Sequence, residues 1–182
     1  MTVTPDAAGS ALPFSRIAIR TAALVFCGDD VALIRRDRPA GVLYSVPGGN
    51  VEDGESLPDA LRRELAEELA LDIDRAEGGE LLWVADQRVS RPGAAPSPRK
   101  LHLIHRLHIG EDVRADLATE EYDELPDGSW DVGAIEWIDY RKTGELPVFP
   151  PVGRALAALP YARATVADAA LEAVTDATYT WR

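Results

Sequence analysis

The chain has 182 residues, 46% hydrophobic and 27% charged, with 31 acidic against 19 basic side chains and a formal net charge of -12. That composition suits one globular domain able to close its own core, and the negative excess argues against a nucleic-acid polymer or an anionic membrane as partner. A single cysteine, Cys27, excludes an intrachain disulfide and a thiolate zinc site. No apolar run reaches the length of a membrane span and no signal-peptide pattern opens the sequence, so a soluble, cytoplasmic chain is expected.

In chain order, residues 1–15 are rich in Thr, Ala, Pro and Gly without periodicity and predict a flexible tail. The apolar, β-branched run 16–26 predicts a strand, Gly28-Asp29-Asp30 a turn, and 31–36 the second arm of a hairpin. Pro39-Ala40-Gly41 breaks that arm, and a short strand over 42–46 ends at Pro47-Gly48-Gly49. Ser56 is a helix N-cap with Asp59 three positions on, and Pro58 falls in the first turn, where its missing N–H costs nothing. Leu57, Leu61, Leu65 and Leu69 step by four and give one apolar stripe, ending the helix near Leu69 or Ala70. Strands follow over 81–89 and 101–109, separated by a Pro- and Gly-rich loop. Residues 111–128 read as an acidic connection, 134–138 as a strand, 150–159 as a short helix opened by Pro150-Pro151, and 165–174 as a last helix. The domain is thus expected over 16–160, with a C-terminal helical segment or tail over 161–182. Helices interleaved with buried-looking strands place it in the α/β class, as an α/β/α sandwich around a central mixed β-sheet.

Arg63, Glu64, Glu67 and Glu68 lie at neighbouring helical positions, so three carboxylates gather along one side of one helix. Glu64 and Glu68 form a like-charge i,i+4 pair, and Glu67 and Glu68 sit in the last turn against the helix dipole; each costs a few tenths of a kcal/mol, roughly. Acidic runs are most often solvated faces. Here the acids accompany a Gly-Gly turn, a capped helix start and an Arg at fixed spacing, and a bound divalent cation would reverse both penalties. Oxygen-only ligands suit Mg²⁺ or Mn²⁺ rather than zinc.

The pattern Gly49-x5-Glu55-x7-Arg63-Glu64-Leu65-x-Glu67-Glu68-x-Ala70-Leu71 resembles the Nudix box, and the chain is similar to Nudix hydrolases of the MutT-like kind. One position departs: Ala70 replaces a family Gly at the helix C-cap, where Ala in a left-handed conformation costs about 1 kcal/mol. The resemblance implies the Nudix α/β/α sandwich and Mg²⁺-dependent hydrolysis, Mn²⁺ serving as an alternative, of a nucleoside diphosphate linked to another moiety. Carried over residue by residue, Glu64, Glu67 and Glu68 would hold the metal with the Gly48 carbonyl, Glu55 would fix the loop–helix geometry, and Arg63 would orient a box carboxylate. The general base varies in the family between a box Glu and one on a distant loop. Glu120, Glu121 and Glu124 are the loop candidates, with Glu121 the one taken as catalytic.

Substrate contacts are expected elsewhere. Residues 87–109 contain no acid and carry Arg88, Arg91, Arg99, Lys100, Arg106 and all three histidines. Arg91, Arg99 and Lys100 in this basic loop are candidates to close over a phosphorylated ligand, although the same charges suit a solvated surface loop. Alternation groups His105 with Leu101, Leu103, Leu107 and Ile109 as a core histidine, and His102 and His108 with Arg106 on the other face. Arg35 and Arg36 point to opposite faces, so at most one meets the cleft; in MutT-like members an Arg near this place contacts substrate. Tyr44, Trp83, Trp130 and Trp137 read as core or rim.

The family's marks for ADP-ribose (a Pro) and dinucleoside polyphosphates (a Tyr) are absent around Ala85-Asp86-Gln87-Arg88, and no run resembles the NADH or coenzyme A signatures. The absences favour a MutT-like (d)NTP pyrophosphohydrolase acting on a small-molecule nucleotide. An ADP-ribose, nucleotide-sugar or dinucleotide pyrophosphatase is the alternative, and a non-catalytic Nudix-fold nucleotide sensor a second, disfavoured by the complete carboxylate set. An isomerase of allylic diphosphates would need an acidic Cys opposite the cleft, whereas Cys27 ends an apolar strand. Many relatives pair as dimers, which makes a homodimer through the C-terminal segment a further expectation.

Overall fold

The computed structural model describes residues 17–89, 99–125 and 127–180. Strand β1 (Ile17–Cys27) lies at its centre. It turns through Gly28, whose φ of +59° suits glycine, into β2 (Asp30–Arg38). The hairpin pairs only at its closed end, Phe26 with Val31 and Cys27 with Asp30, after which the two strands part. β1 then pairs with β4 (Gly48–Asn50) over Arg20–Ala22 and, in parallel along its whole length, with β6 (Arg99–Ile109). β2 turns to β3 (Gly41–Ser45) on one side and to β8 (Trp130–Asp139) on the other. Gly48–Asn50 therefore sits in the wedge where the sheet splits, and that wedge positions the site.

The main path of the mixed sheet runs β10-β5-β6-β1-β2-β3-β9, with β5 (Glu77–Arg88), β9 (Val148–Phe149) and β10 (Val174–Thr175). β7 (Glu120–Glu124) is carried by β8. Both faces are covered. Helix α1 (Leu57–Leu69) lays Leu61, Leu65 and Leu69 on Val25, Ile34 and Leu107, and each such leucine contributes roughly 1.5–3 kcal/mol on burial. Leu57, the first of the stripe, is exposed. The other face buries Leu24, Phe26, Leu33 and Ile104 under Tyr140, Leu156, Ala162 and Ala164. These come from the 3-10 turn Tyr140–Glu145, helix α3 (Gly153–Ala157) and the C-terminal segment.

Three expectations are corrected. Residues 165–174 are not a helix: Val84 N–H donates to the Ala169 carbonyl (2.7 Å), Leu171 N–H to the Val84 carbonyl (2.9 Å), and Val174 enters β10 beside Gln87. The open edge of β5 offers this Ala-rich run backbone partners and a place in the core, and these outweigh its helix propensity. The connection 111–128 contains helix α2 (Glu111–Arg114) and strand β7. The histidine faces are also exchanged: His102 and His108 are buried, whereas His105 is half-buried with Nδ1 3.0 Å from the Gly79 carbonyl oxygen. β6 is covered on both faces, so alternation separates them without saying which is wetter. Trp83 and Tyr44 are core residues and Trp130 is exposed. Trp137 is half-buried under the Arg114 guanidinium, 4.5 Å from its ring centre. The 1–15 tail, Arg91 and Trp181 lie outside the described residues.

Candidate active site

Helix α1 starts where Ser56 Oγ accepts the Asp59 N–H (3.3 Å) and ends at Ala70, which takes the left-handed conformation (φ +55°). Opposite its leucine stripe, Arg63 collects the acids. It donates to Glu55 through Nε (2.9 Å) and Nη2 (3.0 Å), to Glu64 (2.7 Å) and Glu67 (3.2 Å) through Nη1, and to the Asn50 carbonyl (3.1 Å). One planar guanidinium thus ties the loop before the helix to two carboxylates of the helix itself. Its hydrogen bonds, with that of the Glu52 amide, hold Glu55 below the ordinary carboxylate range.

The Gly48-Gly49 pair at the start of β4 faces this helix at close range, and backbone contact requires glycine at position 48. A Cβ at Gly48 (φ +138°) would overlap the backbone of Thr21 and Ala22, and one at Gly49 would overlap the Glu64 carboxylate. Gly48 N–H donates to Glu68 Oε2 (2.6 Å), and its carbonyl accepts from Arg20 Nη2. Burial, reinforced by Glu121 and Glu64, pushes the Glu68 carboxyl up to about 8 against the pull of the Gly48 amide and Arg20.

Beside it lies a second charged group. Arg36 of β2 is 7% exposed and pairs with Glu121 of β7, itself 5% exposed, with Asp123 (2.8 Å) and with Asp131 of β8 (3.2 Å), which also takes Arg38 (2.5 Å). Gly133 lets the β7–β8 hairpin approach, since a Cβ there would strike Ile34. Burial, with Asp123 and Asp131 nearby, raises the Glu121 carboxyl against the pull of Arg36.

The structure thus brings Glu64, Glu68, Gly48, Arg63, Arg36 and Glu121 to one region. Glu67, with its side chain 60% exposed, stays on the Arg63 side. Glu120 and Glu124 are exposed. Arg35 lies on the opposite face, held by Glu136 (3.1 Å) and Asp37 (3.1 Å). Arg99 forms a two-pronged pair with Asp86 (2.8 and 2.7 Å), and Lys100 Nζ is 3.4 Å from Asn50 Oδ1. Arg20, Asp123 and Asp131 belong to the site and escape sequence reasoning; the one signal for Arg20 is a charge inside an otherwise uncharged strand.

Among the described residues no three His, Cys, Asp or Glu side chains form a ready cation cage. The donors that do meet at the turn, the Glu64 and Glu68 carboxylates and the Gly48 carbonyl, are all oxygen and fit a hard divalent cation. A cavity of about 680 Å³ lies on the other face, between Leu146–Val148 of the β9 approach, Arg154 and Leu171–Thr180, and includes none of these donors.

A family model described as NUDIX domain matches residues 18–158. The chain is 30% identical over 119 residues to the NAD-capped RNA hydrolase NudC of Pseudomonas syringae pv. tomato, a match covering 64% of this chain and 37% of that protein. The chain therefore spans little more than a third of the length of that curated relative. Among solved structures, the MutT protein of Methanosarcina mazei Go1 superposes with a TM-score of 0.55 at 17% identity, covering 79% of this chain and 92% of that one. The MutT NUDIX hydrolase of Burkholderia pseudomallei gives 0.52 at 22%, covering 78% and 96%. At these identities the two structures show the shared fold.

Proposed function

The chain belongs to the NUDIX family of hydrolases, and from that premise we propose that it hydrolyses a pyrophosphate linkage in a small nucleotide with the help of a divalent cation, a (d)NTP being the first substrate to test. The observation that carries this reading is the oxygen cluster at the wedge: Glu68 on the Gly48 amide, Glu64 against Gly49, and Arg63 tying Glu64 and Glu67 to Glu55.

Glu64, Glu68 and the Gly48 carbonyl are the proposed cation ligands, with Glu67 brought in by rotation from its exposed position. When bound, Mg²⁺ or Mn²⁺ supplies neutralisation of the pyrophosphate charge and an acidified water. The chain's own residues orient the parts. Glu55 fixes Arg63, Arg63 fixes Glu64, and the Gly48 amide fixes Glu68. Glu121, buried and steered by Arg36, is the proposed acceptor of the attacking water's proton. Arg36 itself, paired with three acids, orients this base, and of the two neighbouring arginines it is the one on the site's face. Lys100, beside Asn50, and Arg99, paired with Asp86, remain the proposed contacts for the substrate's phosphates.

A second reading follows from the NudC likeness: a dinucleotide of the NAD type, whose central link is also a pyrophosphate. The test is a cation-dependent hydrolysis screen with product identification over (d)NTPs, NAD, NADH, NAD-capped RNA, ADP-ribose and nucleotide sugars. Turnover of one class, lost in Glu68→Gln, is the expected result. Turnover that survives Glu68→Gln, or silence across the panel with both Mg²⁺ and Mn²⁺, would overturn the proposal; silence accompanied by ligand-induced thermal shifts would favour a sensor.

A further inference from the structure

We propose that Arg20 is a phosphate-gripping residue of this site, binding a diphosphate oxygen beside the cation ligands; the proposal rests on the hydrolase reading for its substrate and on the following geometry for itself. Arg20 is the one charged side chain of β1, placed opposite Asn50 on β4 and His102 on β6, with the fully buried run Thr21–Phe26 following it. Arg20 is half-buried on that strand, and a half-buried cation gains from an anionic partner.

The chain gives its other sheltered arginines one. Arg36 has Glu121, Asp123 and Asp131, Arg63 has Glu55 and Glu64, and Arg106 has Glu80. Among the described residues Arg20 is the sheltered arginine without a carboxylate in ion-pair contact, and its hydrogen bond goes to the Gly48 carbonyl. A guanidinium carries five N–H donors in a planar fork, and none of those on Arg20 is buried without a partner, so the donors not engaged by Gly48 face solvent, where a ligand oxygen can reach them. The residue it touches, Gly48, also binds Glu68 through its N–H, so Arg20 stands beside the carboxylate cluster, with the like charge of Arg36 acting against it. A tetrahedral oxyanion at that rim meets the fork of Arg20 on one side and the cation site on the other, and its charge relieves the Arg20–Arg36 repulsion. The Gly48 carbonyl aims the fork, so the grip and the cation share one backbone group.

The probe is inorganic pyrophosphate, titrated calorimetrically in the presence of Mg²⁺ into the full-length wild type, Arg20→Met and Arg20→Lys, with thermal melting of each. Loss of one charge-assisted phosphate contact should weaken pyrophosphate binding by roughly ten- to a hundredfold in Arg20→Met. Arg20→Lys should recover part of it, and KM for any turned-over nucleotide should rise by a comparable factor. Equal affinity in the three proteins, or no pyrophosphate binding by the wild type, would overturn the assignment. A lowered melting temperature with unchanged affinity would do the same, by making Arg20 a prop for the Gly48 turn. The two readings fail separately. Wild-type turnover with indifferent Arg20 variants removes this proposal alone, whereas Arg20-dependent pyrophosphate binding without turnover of any nucleotide removes the hydrolase reading alone.

Discussion

Position 49 is a glycine because the Glu64 carboxylate occupies the space where any side chain would begin. Gly49→Ala should push Glu64 off Arg63 and off the turn. The expected outcome is a fall in kcat of roughly tenfold or more, about 1.4 kcal/mol or more of lost transition-state stabilisation, with Arg63→Lys giving a similar loss because a lysine cannot hold Glu55 and Glu64 together. Steady-state kinetics checks both; normal turnover by Gly49→Ala would show that Glu64 need not stand at the turn. At this scale Arg63, Glu64, Glu67 and Glu68 were legible from helical spacing, and Gly48 and Glu55 from the resemblance to the Nudix box. Arg20, Asp123 and Asp131 were not, because their partners are 28, 87 and 95 positions away in sequence, and a lone charge in a strand does not announce which backbone group it will meet.

Helix α1 was legible as an element because every local signal agreed: the Ser56 cap, Pro58 in the first turn and leucines four apart. Its departure from the box was also legible, and the structure gives it a shape. Ala70 takes φ +55°, and its N–H and that of Leu71 close onto the Ala66 and Leu65 carbonyls (3.1 Å each). Ala70→Gly should therefore stabilise the fold by about 1 kcal/mol, seen as a rise in Tm of roughly 2–4 °C for a chain of this size, with kcat unchanged. An unaltered or lower Tm would mean that the gain is cancelled by the unfolded chain's added freedom. The elements that sequence misread are those whose partners are remote. The charged run Glu120–Glu124 forms β7 because β8 supplies its ladder and Arg36 gathers the carboxylates of Glu121 and Asp123. The segment after Leu159 begins as a turn, with Ala164 N–H on the Tyr161 carbonyl (2.9 Å), because Arg106, buried in β6, donates to the Ala162 (3.1 Å) and Ala164 (2.7 Å) carbonyls and pins its start.

For the molecule as a whole, burial of titratable groups on both faces of one sheet predetermines how stability follows pH. His102 and His108 are pushed by burial to about 3 and about 4 from an ordinary 6.5, so below pH 6.5 the unfolded chain binds two protons that the native state refuses. Glu68 is pushed by burial from 4.5 up to about 8 and Glu121 is raised as well, so above pH 4.5 the native state keeps protons that the unfolded chain releases. Stability rises with pH where the unfolded state binds more protons. Between about pH 4.5 and 6.5 the two pairs oppose one another and the profile should be nearly flat. Above 6.5 the histidines are neutral in both states and only the carboxyls act, so stability in EDTA should fall by about 1.4 kcal/mol per pH unit for Glu68 up to about pH 8, with Glu121 adding to the slope only up to about pH 7. A divalent cation held by Glu68 favours the ionised carboxylate in the native state alone, and so should abolish most of that fall. The measurement is Tm across pH 5 to 8.5 in EDTA and in Mg²⁺, for the wild type and Glu68→Gln. The wild type should gain more from Mg²⁺ at pH 8 than at pH 6, and Glu68→Gln should be flatter in EDTA and nearly indifferent to Mg²⁺. An equal Mg²⁺ shift in both proteins would place the cation elsewhere than on Glu68.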